Sequence, residues 1–331
     1  MSYGVASPTS PPTSPPEPDN SWVLRHRVAA VLLSLGSLAV LLAVVGVIGA
    51  ATSTTTTPHA GAARVLTAPV RIVHTPAGTV GYREVGTGTP LLLIAGADAS
   101  MDYWPPGFVD ALAAHHNVVV FDNAEVGRTT AVPGTAQLTI PAMASQTSAL
   151  ISALRLHRPA VLGWSMGGMI VQALAIRHPA QVSRLILAAT AAGTGKAVPL
   201  QHNAAAAAPN PATILSLLFP KDQAAAAGAY RKTILRYPGF YGVSAATEHS
   251  QNLAVQQWLA GHDTAGPLVG DLRVPTLVAD GTLDQFIATA NDRQLASSVP
   301  GARLLMYRDA GHDFLFQDAA RFIRAVETFI A

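Results

Sequence analysis

The chain has 331 residues, enough for one large domain with a sizeable core and further segments. Apolar residues make up 50% and charged residues 12%, with 21 basic against 19 acidic side chains, and no basic block of the kind that binds nucleic acid occurs. The absence of cysteine excludes disulfides, thiolate metal sites and a cysteine nucleophile.

The N-terminal part of the chain divides into three segments by composition. The first 20 residues are mostly Ser, Thr and Pro, which cannot build a core, so we expect a disordered tail over residues 1–27. Residues 28–51 carry no charge and are rich in Leu, Val and Ala. Because about 20 apolar residues in a helix cross the hydrocarbon layer, this stretch predicts a transmembrane helix. Residues 52–69, with a Thr-rich run, are interpreted as a linker.

A cleaved signal peptide is the alternative interpretation of the apolar stretch, since small residues suited to cleavage follow it. A signal peptide has a short basic leader and an apolar region of about 7–15 residues. Both segments are longer here, which favours an uncleaved anchor. Arg25 and Arg27 precede the stretch and only Arg64 follows closely. This bias predicts a single-pass cell-membrane protein whose tail is cytoplasmic and whose main domain is extracytoplasmic.

From residue 70 onward, short apolar runs alternate with stretches of helical periodicity. The runs predict eight strands: 70–75, 79–86, 90–96, 117–122, 159–165, 182–190, 275–280 and 302–307. The first two alternate apolar and polar residues around Pro76–Gly78, which indicates a hairpin. Helices are predicted at 105–115, 141–156, 167–178, 287–298 and 318–330. This alternation predicts an α/β fold with a mostly parallel sheet and helices on both faces.

One long segment interrupts this alternation. More than 80 residues separate the strand predicted at 182–190 from the strand predicted at 275–280. They are rich in Ala and are interrupted by prolines, among them Pro209, Pro211, Pro220 and Pro238. Since a plain loop of that length is rare in a compact domain, we expect an inserted helical subdomain over about residues 196–267.

The sequence GWSMGG, residues 163–168, follows a predicted strand and begins a predicted helix. In that context G-x-S-x-G is typical of a tight turn that raises a nucleophilic serine above the sheet. Gly163 and Gly167 leave room for the strand and the helix to approach, and Ser165 lies at the positive end of the helix dipole. The alternative is a glycine-rich turn with an incidental serine.

A nucleophilic serine needs a general base, and the base needs an acid that orients it. His312 follows the last predicted strand and Asp284 follows the strand before it. With Ser165 they have the chain order and strand-end positions that such a sheet requires. Asp280 and Asp313 are competing acids. We expect Asp280 to turn or cap the chain, and Asp313 to start the helix after His312.

These residues make the chain from about residue 70 to 331 resemble an α/β-hydrolase. The resemblance is carried by LLLIAGADASMDYW, VVVFDNAEVGRTT, GWSMGGMIVQALAIRHPAQVSRLILAAT, PTLVADGTLD and DAGHDFLFQ. It implies an eight-stranded α/β-hydrolase sheet in which the insertion is a helical lid. It also implies a catalytic triad of Ser165, Asp284 and His312.

The resemblance further implies an oxyanion hole made of the backbone N–H groups of Met166 and Ala97. Gly96 and Trp164 are the candidate residues of the substrate pocket. No His-x-His or His-Glu-x-x-His spacing occurs in the sequence, and neither a metal nor a cofactor is predicted.

Two positions depart from the pattern of the family. Its His-Gly turn reads Ala95-Gly96 here. The donor at this turn is a backbone group, so the hole can form without the histidine. Glu125 stands where glycine is usual in the family, which leaves the local geometry of the turn at residues 122–127 open.

The predicted function is a membrane-anchored serine hydrolase that cleaves a small carboxylic ester or lactone. A serine at position 165 excludes the aspartate chemistry of family dehalogenases and epoxide hydrolases. Perhydrolysis or carbon–carbon bond hydrolysis by the same residues stays open, as does a non-catalytic ligand-binding module. The expected partners are a small-molecule substrate and, through residues 28–51, the lipid bilayer; nucleic acid is not one.

Overall fold

The structure, a computed structural model, describes residues 64–198 and 217–331. The predicted tail, the predicted transmembrane helix at 28–51 and most of the predicted linker lie outside these residues, as does part of the predicted lid. Within the two described ranges, no helix is both long enough and apolar enough to cross a membrane.

Eight strands form one sheet, in the order β1-β2-β4-β3-β5-β6-β7-β8. They are β1 (Arg71–Thr75), β2 (Gly78–Val85), β3 (Thr89–Ile94), β4 (His116–Phe121), β5 (Ala160–Trp164), β6 (Arg184–Ala188), β7 (Thr276–Gly281) and β8 (Arg303–Tyr307). The β1–β2 and β2–β4 pairs are antiparallel and all other pairs are parallel. The mostly parallel sheet and the hairpin are therefore confirmed, with strand ends within two residues of the prediction.

Nine α-helices lie entirely within the described ranges. They are α1 (Arg64–Thr67), α2 (Pro106–Leu112), α3 (Ile140–Ala153), α4 (Met166–Arg177), α5 (Ala224–Ile234), α6 (Ala245–Leu259), α7 (Thr289–Ser298), α8 (Phe314–Gln317) and α9 (Ala319–Ile330). α5 and α6 lie in the described part of the predicted insertion. Ser244 caps α6, because its side chain accepts a hydrogen bond from the Thr247 amide at 3.1 Å.

The core has two layers, one on each face of the sheet. Successive residues of a strand point to opposite faces. In β3, Leu91 and Leu93 accordingly pack with α2 and α9, whereas Leu92 and Ile94 pack with α3 and α4. All four leucine and isoleucine side chains are fully buried. Near-continuous apolar runs in the sequence thus correspond to strands covered on both faces, with the carboxyl ends of β3 to β7 along one edge.

Candidate active site

Ser165 lies in the turn between β5 and α4 and has φ 56° and ψ −120°. Such backbone angles are unfavourable for a residue with a side chain and persist only where the surroundings hold them. The Ser165 amide donates to the Ala188 carbonyl at 2.8 Å. Its carbonyl accepts from the Thr190 hydroxyl at 2.8 Å and from the Gly168 amide at 2.9 Å. The turn therefore has a fixed geometry that places Ser165 at the carboxyl edge of the sheet.

Two glycines allow this turn to form. A Cβ atom on Gly163 would overlap the Gly167 carbonyl, and one on Gly167 would overlap the carbonyl of Ile94 in β3. The strand, the helix and the neighbouring strand are therefore in backbone contact. The glycines in the sequence motif have a steric function here and do not merely accompany a loop.

Asp284 and His312 form a buried pair at the ends of β7 and β8. The His312 Nδ1 and Asp284 Oδ2 atoms are 2.7 Å apart. The other carboxylate oxygen of Asp284 accepts from the amides of Phe286, at 2.6 Å, and Ile287, at 2.9 Å. This network fixes the carboxylate and assigns the imidazole proton to Nδ1, which leaves Nε2 of the neutral ring as an acceptor.

The pKa of His312 reflects opposing influences. Burial of the ring lowers it, whereas the charge and hydrogen bond of Asp284 raise it, as do the nearby carboxyls of Asp313 and Asp292. The raising influences prevail, so the pKa of His312 lies above its ordinary value.

His312 lies beside the residue that precedes the serine. The ring centroids of His312 and Trp164 are 6.1 Å apart, and those of His312 and Phe286 are 5.2 Å apart. Between the described side chains of Ser165 and His312 the structure has no hydrogen bond. Such contacts commonly tighten only when substrate binds.

The two expected oxyanion donors belong to the loop after β3 and to the start of α4. Ala97 follows β3, and Met166 is the first residue of α4. Neither amide donates to an acceptor within the described part of the chain. A Cβ atom on Gly96 would lie 3.2 Å from the Ser165 Cβ, so the loop after β3 passes next to the serine. Both N–H groups are available to an oxygen bound there.

At both positions that depart from the family pattern, the backbone carbonyl accepts a hydrogen bond from a neighbouring side chain. The Ala95 carbonyl accepts a hydrogen bond from the Asn123 side chain at 3.0 Å. Glu125 has φ 67°, which is a glycine-like conformation, and its carbonyl accepts from the Thr247 hydroxyl of α6 at 3.1 Å. Glu125 thus adopts the backbone conformation that a glycine ordinarily provides.

The competing acids do not contact His312 by hydrogen bonds. Asp280 is fully buried and lies within β7, where one of its oxygens accepts from the Gly281 amide at 2.7 Å, so the expectation that it turns or caps the chain is not met. Burial raises the pKa of Asp280, and it raises the pKa of the neighbouring Asp292 to about 7.

Asp313 precedes α8 as predicted, but its carboxyl makes no cap hydrogen bond. Both Asp313 oxygens are buried without a partner in the described residues, and burial raises its pKa to about 8.

A cavity of about 630 Å³ opens beside Asp284, between the loop after β7 and the residues before α5. Pro220, Lys221 and Leu283 are among its lining residues. The predicted pocket residues Gly96 and Trp164 do not line this cavity, and neither does Ser165. The structure therefore does not place the predicted pocket residues in this cavity.

Fold and site together define a class of enzyme: a mostly parallel sheet with a serine at a strand-to-helix turn and an Asp–His pair after the last two strands. The family model described as the alpha/beta hydrolase fold matches residues 89–319. The chain belongs to the α/β-hydrolase fold family and is an enzyme of the hydrolase class.

The relatives that this chain resembles are named for different reactions. The 2-hydroxymuconate semialdehyde hydrolase of Pseudomonas sp. (strain CF600) is 30% identical over 260 residues, which cover 75% of this chain and 89% of the relative. A Mycobacterium tuberculosis protein named as a non-heme bromoperoxidase is 27% identical, over 72% of this chain and 92% of its own. An α/β-hydrolase fold protein from Chitinophaga pinensis is 25% identical and has a TM-score of 0.72, covering 80% of this chain and 98% of its own.

Proposed function

We propose that this enzyme cleaves a carboxylic ester or lactone through an acyl-enzyme on Ser165. The observation that carries the proposal is the buried Asp284–His312 hydrogen bond of 2.7 Å, at the same sheet edge as a serine with φ 56°. A base oriented by a carboxylate and a serine at a strained turn are the two components of nucleophilic acyl transfer.

In the proposed reaction the Ser165 hydroxyl attacks the substrate carbonyl and its proton moves to Nε2 of His312. The amides of Ala97 and Met166 bind the oxyanion, and losing one such donor typically costs about 10²–10³-fold in rate. The C–O bond then breaks, and His312 returns the proton to the leaving alcohol. Water attacks the acyl-enzyme with His312 again as base, which releases the acid and free Ser165.

Carbon–carbon bond hydrolysis and perhydrolysis are the second candidate, because the names of the relatives include both a semialdehyde hydrolase and a bromoperoxidase. Both reactions use the same serine site. Product analysis separates them: a β-diketone tests carbon–carbon cleavage, and an ester with hydrogen peroxide tests formation of a peracid.

The experiment that tests the proposal is covalent labelling with a fluorophosphonate probe, which requires an activated serine. We expect the wild type to be labelled and Ser165→Ala to remain unlabelled. Ser145→Ala is the control, because Ser145 is half-buried in α3 and donates only to the Pro141 carbonyl. A folded wild type that takes up no probe would refute the proposal and support the ligand-binding module.

The proposal also includes a membrane anchor at residues 28–51, with the enzyme domain on the extracytoplasmic side. Its support is the uncharged run of 24 residues and the arginines that precede it.

A further inference from the structure

Helix α6 lies across the carboxyl edge of the sheet, and three of its side chains hydrogen-bond to three different loops there. The contacts are Thr247 hydroxyl to Glu125 carbonyl (3.1 Å), Asp98 amide to Gln251 Oε1 (2.9 Å) and Trp258 indole N–H to Ala191 carbonyl (3.1 Å). These loops follow β4, β3 and β6, respectively. A longer fourth contact runs from the Asn252 side chain to the Asp98 carboxylate (3.4 Å).

The spacing of these side chains matches the spacing of the strands. Four residues of helix, from Thr247 to Gln251, rise about 6 Å, and the seven residues to Trp258 rise about 10.5 Å. β4 and β3 are neighbours, whereas β3 and β6 are separated by β5, and neighbouring strands lie about 4.8 Å apart. The contacts of α6 thus follow the strand order β4, β3, β6, and the end of β5, which Ser165 follows, lies between the last two.

The loop that contains the Ala97 amide is held at both of its ends. We define the oxyanion loop as Ala95–Asp98. At its start the Asn123 side chain donates to the Ala95 carbonyl at 3.0 Å, and at its end the Asp98 amide donates to Gln251. Asp98 has φ 61°, a conformation that needs support from its surroundings. The direction of the Ala97 N–H thus depends on both contacts.

The amide of Gln251 has one orientation that fits. Only its oxygen can face the Asp98 N–H, so its NH₂ group points away and is buried without a partner in the described residues. Gln251 itself is fully buried. An unpaired buried donor is unfavourable, and a nonpolar side chain of similar size would suit this packing better. The contact with Asp98 is therefore what distinguishes glutamine from leucine here.

We propose that Gln251 and Asn123 are positioning residues for the oxyanion loop, and that Gln251 transmits the position of lid helix α6 to the Ala97 donor. The inference rests on the proposed function, because the donor matters only if an oxyanion forms at Ser165. In this proposal the lid helps to stabilise the transition state as well as to form the substrate pocket.

The test compares full-length Gln251→Leu with the wild type in hydrolysis of a short-chain fluorogenic ester. We expect kcat to fall about tenfold with KM nearly unchanged, a smaller loss than the about 10²–10³-fold cost of removing a whole donor. A trifluoromethyl ketone forms a tetrahedral anion with the serine, so its inhibition constant should rise by the same factor as kcat falls. A loss of packing alone would not change kcat and the inhibition constant by the same factor.

Two variants serve as controls. Gln257→Leu and Gln256→Leu each change an exposed glutamine of the same helix to leucine and leave every contact of α6 with the oxyanion loop in place. Both should keep kcat within about twofold of the wild type. If Gln251→Leu does not fold, Asn123→Ala makes the same test at the other end of the loop.

Unchanged kcat and inhibitor affinity in a folded Gln251→Leu would overturn the inference, as would an equal loss in Gln257→Leu. These results require an active wild type. A wild type that neither hydrolyses esters nor reacts with the fluorophosphonate would instead refute the proposed function, so the two failures are distinguishable.

Discussion

At the scale of single residues, the site brings several carboxyls close to one histidine. Asp284, Asp292 and Asp313 all raise the pKa of His312. None of the three forms an ion pair with lysine or arginine among the described side chains. Protons must therefore neutralise part of this buried charge, which makes both activity and stability depend on pH.

The first prediction concerns the general base. His312 accepts a proton only when it is neutral, and its pKa is raised, so kcat/KM should rise with pH to a midpoint above about 6.5. Asp284→Asn removes the main raising influence. We expect it to move the midpoint to lower pH and to lower the rate about 10³–10⁴-fold. A pH–rate profile with a fluorogenic ester checks this, and a wild-type profile that is flat between pH 5 and 8 would contradict it.

Asp313 gives a prediction about stability. Its pKa is 3.8 in an ordinary setting and about 8 in the folded protein. The folded state thus keeps a proton that the unfolded chain releases, and the free energy of unfolding falls as pH rises from about 4 to about 8. Asp313→Asn should weaken this decline in urea unfolding measured at pH 5 and pH 8. Exposed Asp222→Asn is the control, and an unchanged slope in Asp313→Asn would show that the carboxyl does not hold the proton.

At the scale of elements, the turn between β5 and α4 depends on the absence of side chains. Gly163→Ala would bring a methyl group into the Gly167 carbonyl. We expect a loss of about 2 kcal/mol or more in the free energy of unfolding and no labelling by the fluorophosphonate. Gly228→Ala, in the interior of α5 with nothing near the new methyl, should stabilise by about 0.5–1 kcal/mol. Urea unfolding of both variants makes the comparison, and equal effects would argue against the steric account.

Local sequence patterns do not predict where the strands end. The apolar run at 182–190 predicts a strand of nine residues, but β6 ends at Ala188. Ala189 has φ 49°, a conformation that ends the strand. No glycine marks this position, because its conformation is imposed by tertiary contacts: the Ala189 amide donates to the Ala279 carbonyl of β7 at 2.9 Å.

At the scale of the whole molecule, the enzyme domain is described from Arg64 onward, and the predicted anchor at residues 28–51 precedes it in the chain. If residues 28–51 anchor the enzyme, the full-length chain should sediment with membranes, and a chain that begins at His59 should stay in the supernatant and still be labelled at Ser165. Protease added to intact cells should remove the enzyme domain of the full-length chain. Labelled domain that is protected in intact cells and lost only on lysis would refute the extracytoplasmic orientation.

The sequence by itself determined the strand–helix alternation, the glycine-flanked serine and the chain order of serine, aspartate and histidine, because periodicity and tight turns are local properties. Only the tertiary structure decided that Asp284, and not Asp280 or Asp313, hydrogen-bonds to His312. It alone placed Gln251 against Asp98, 153 residues away. Contacts over such separations follow from how strands and helices pack, which leaves no periodic signal in the chain.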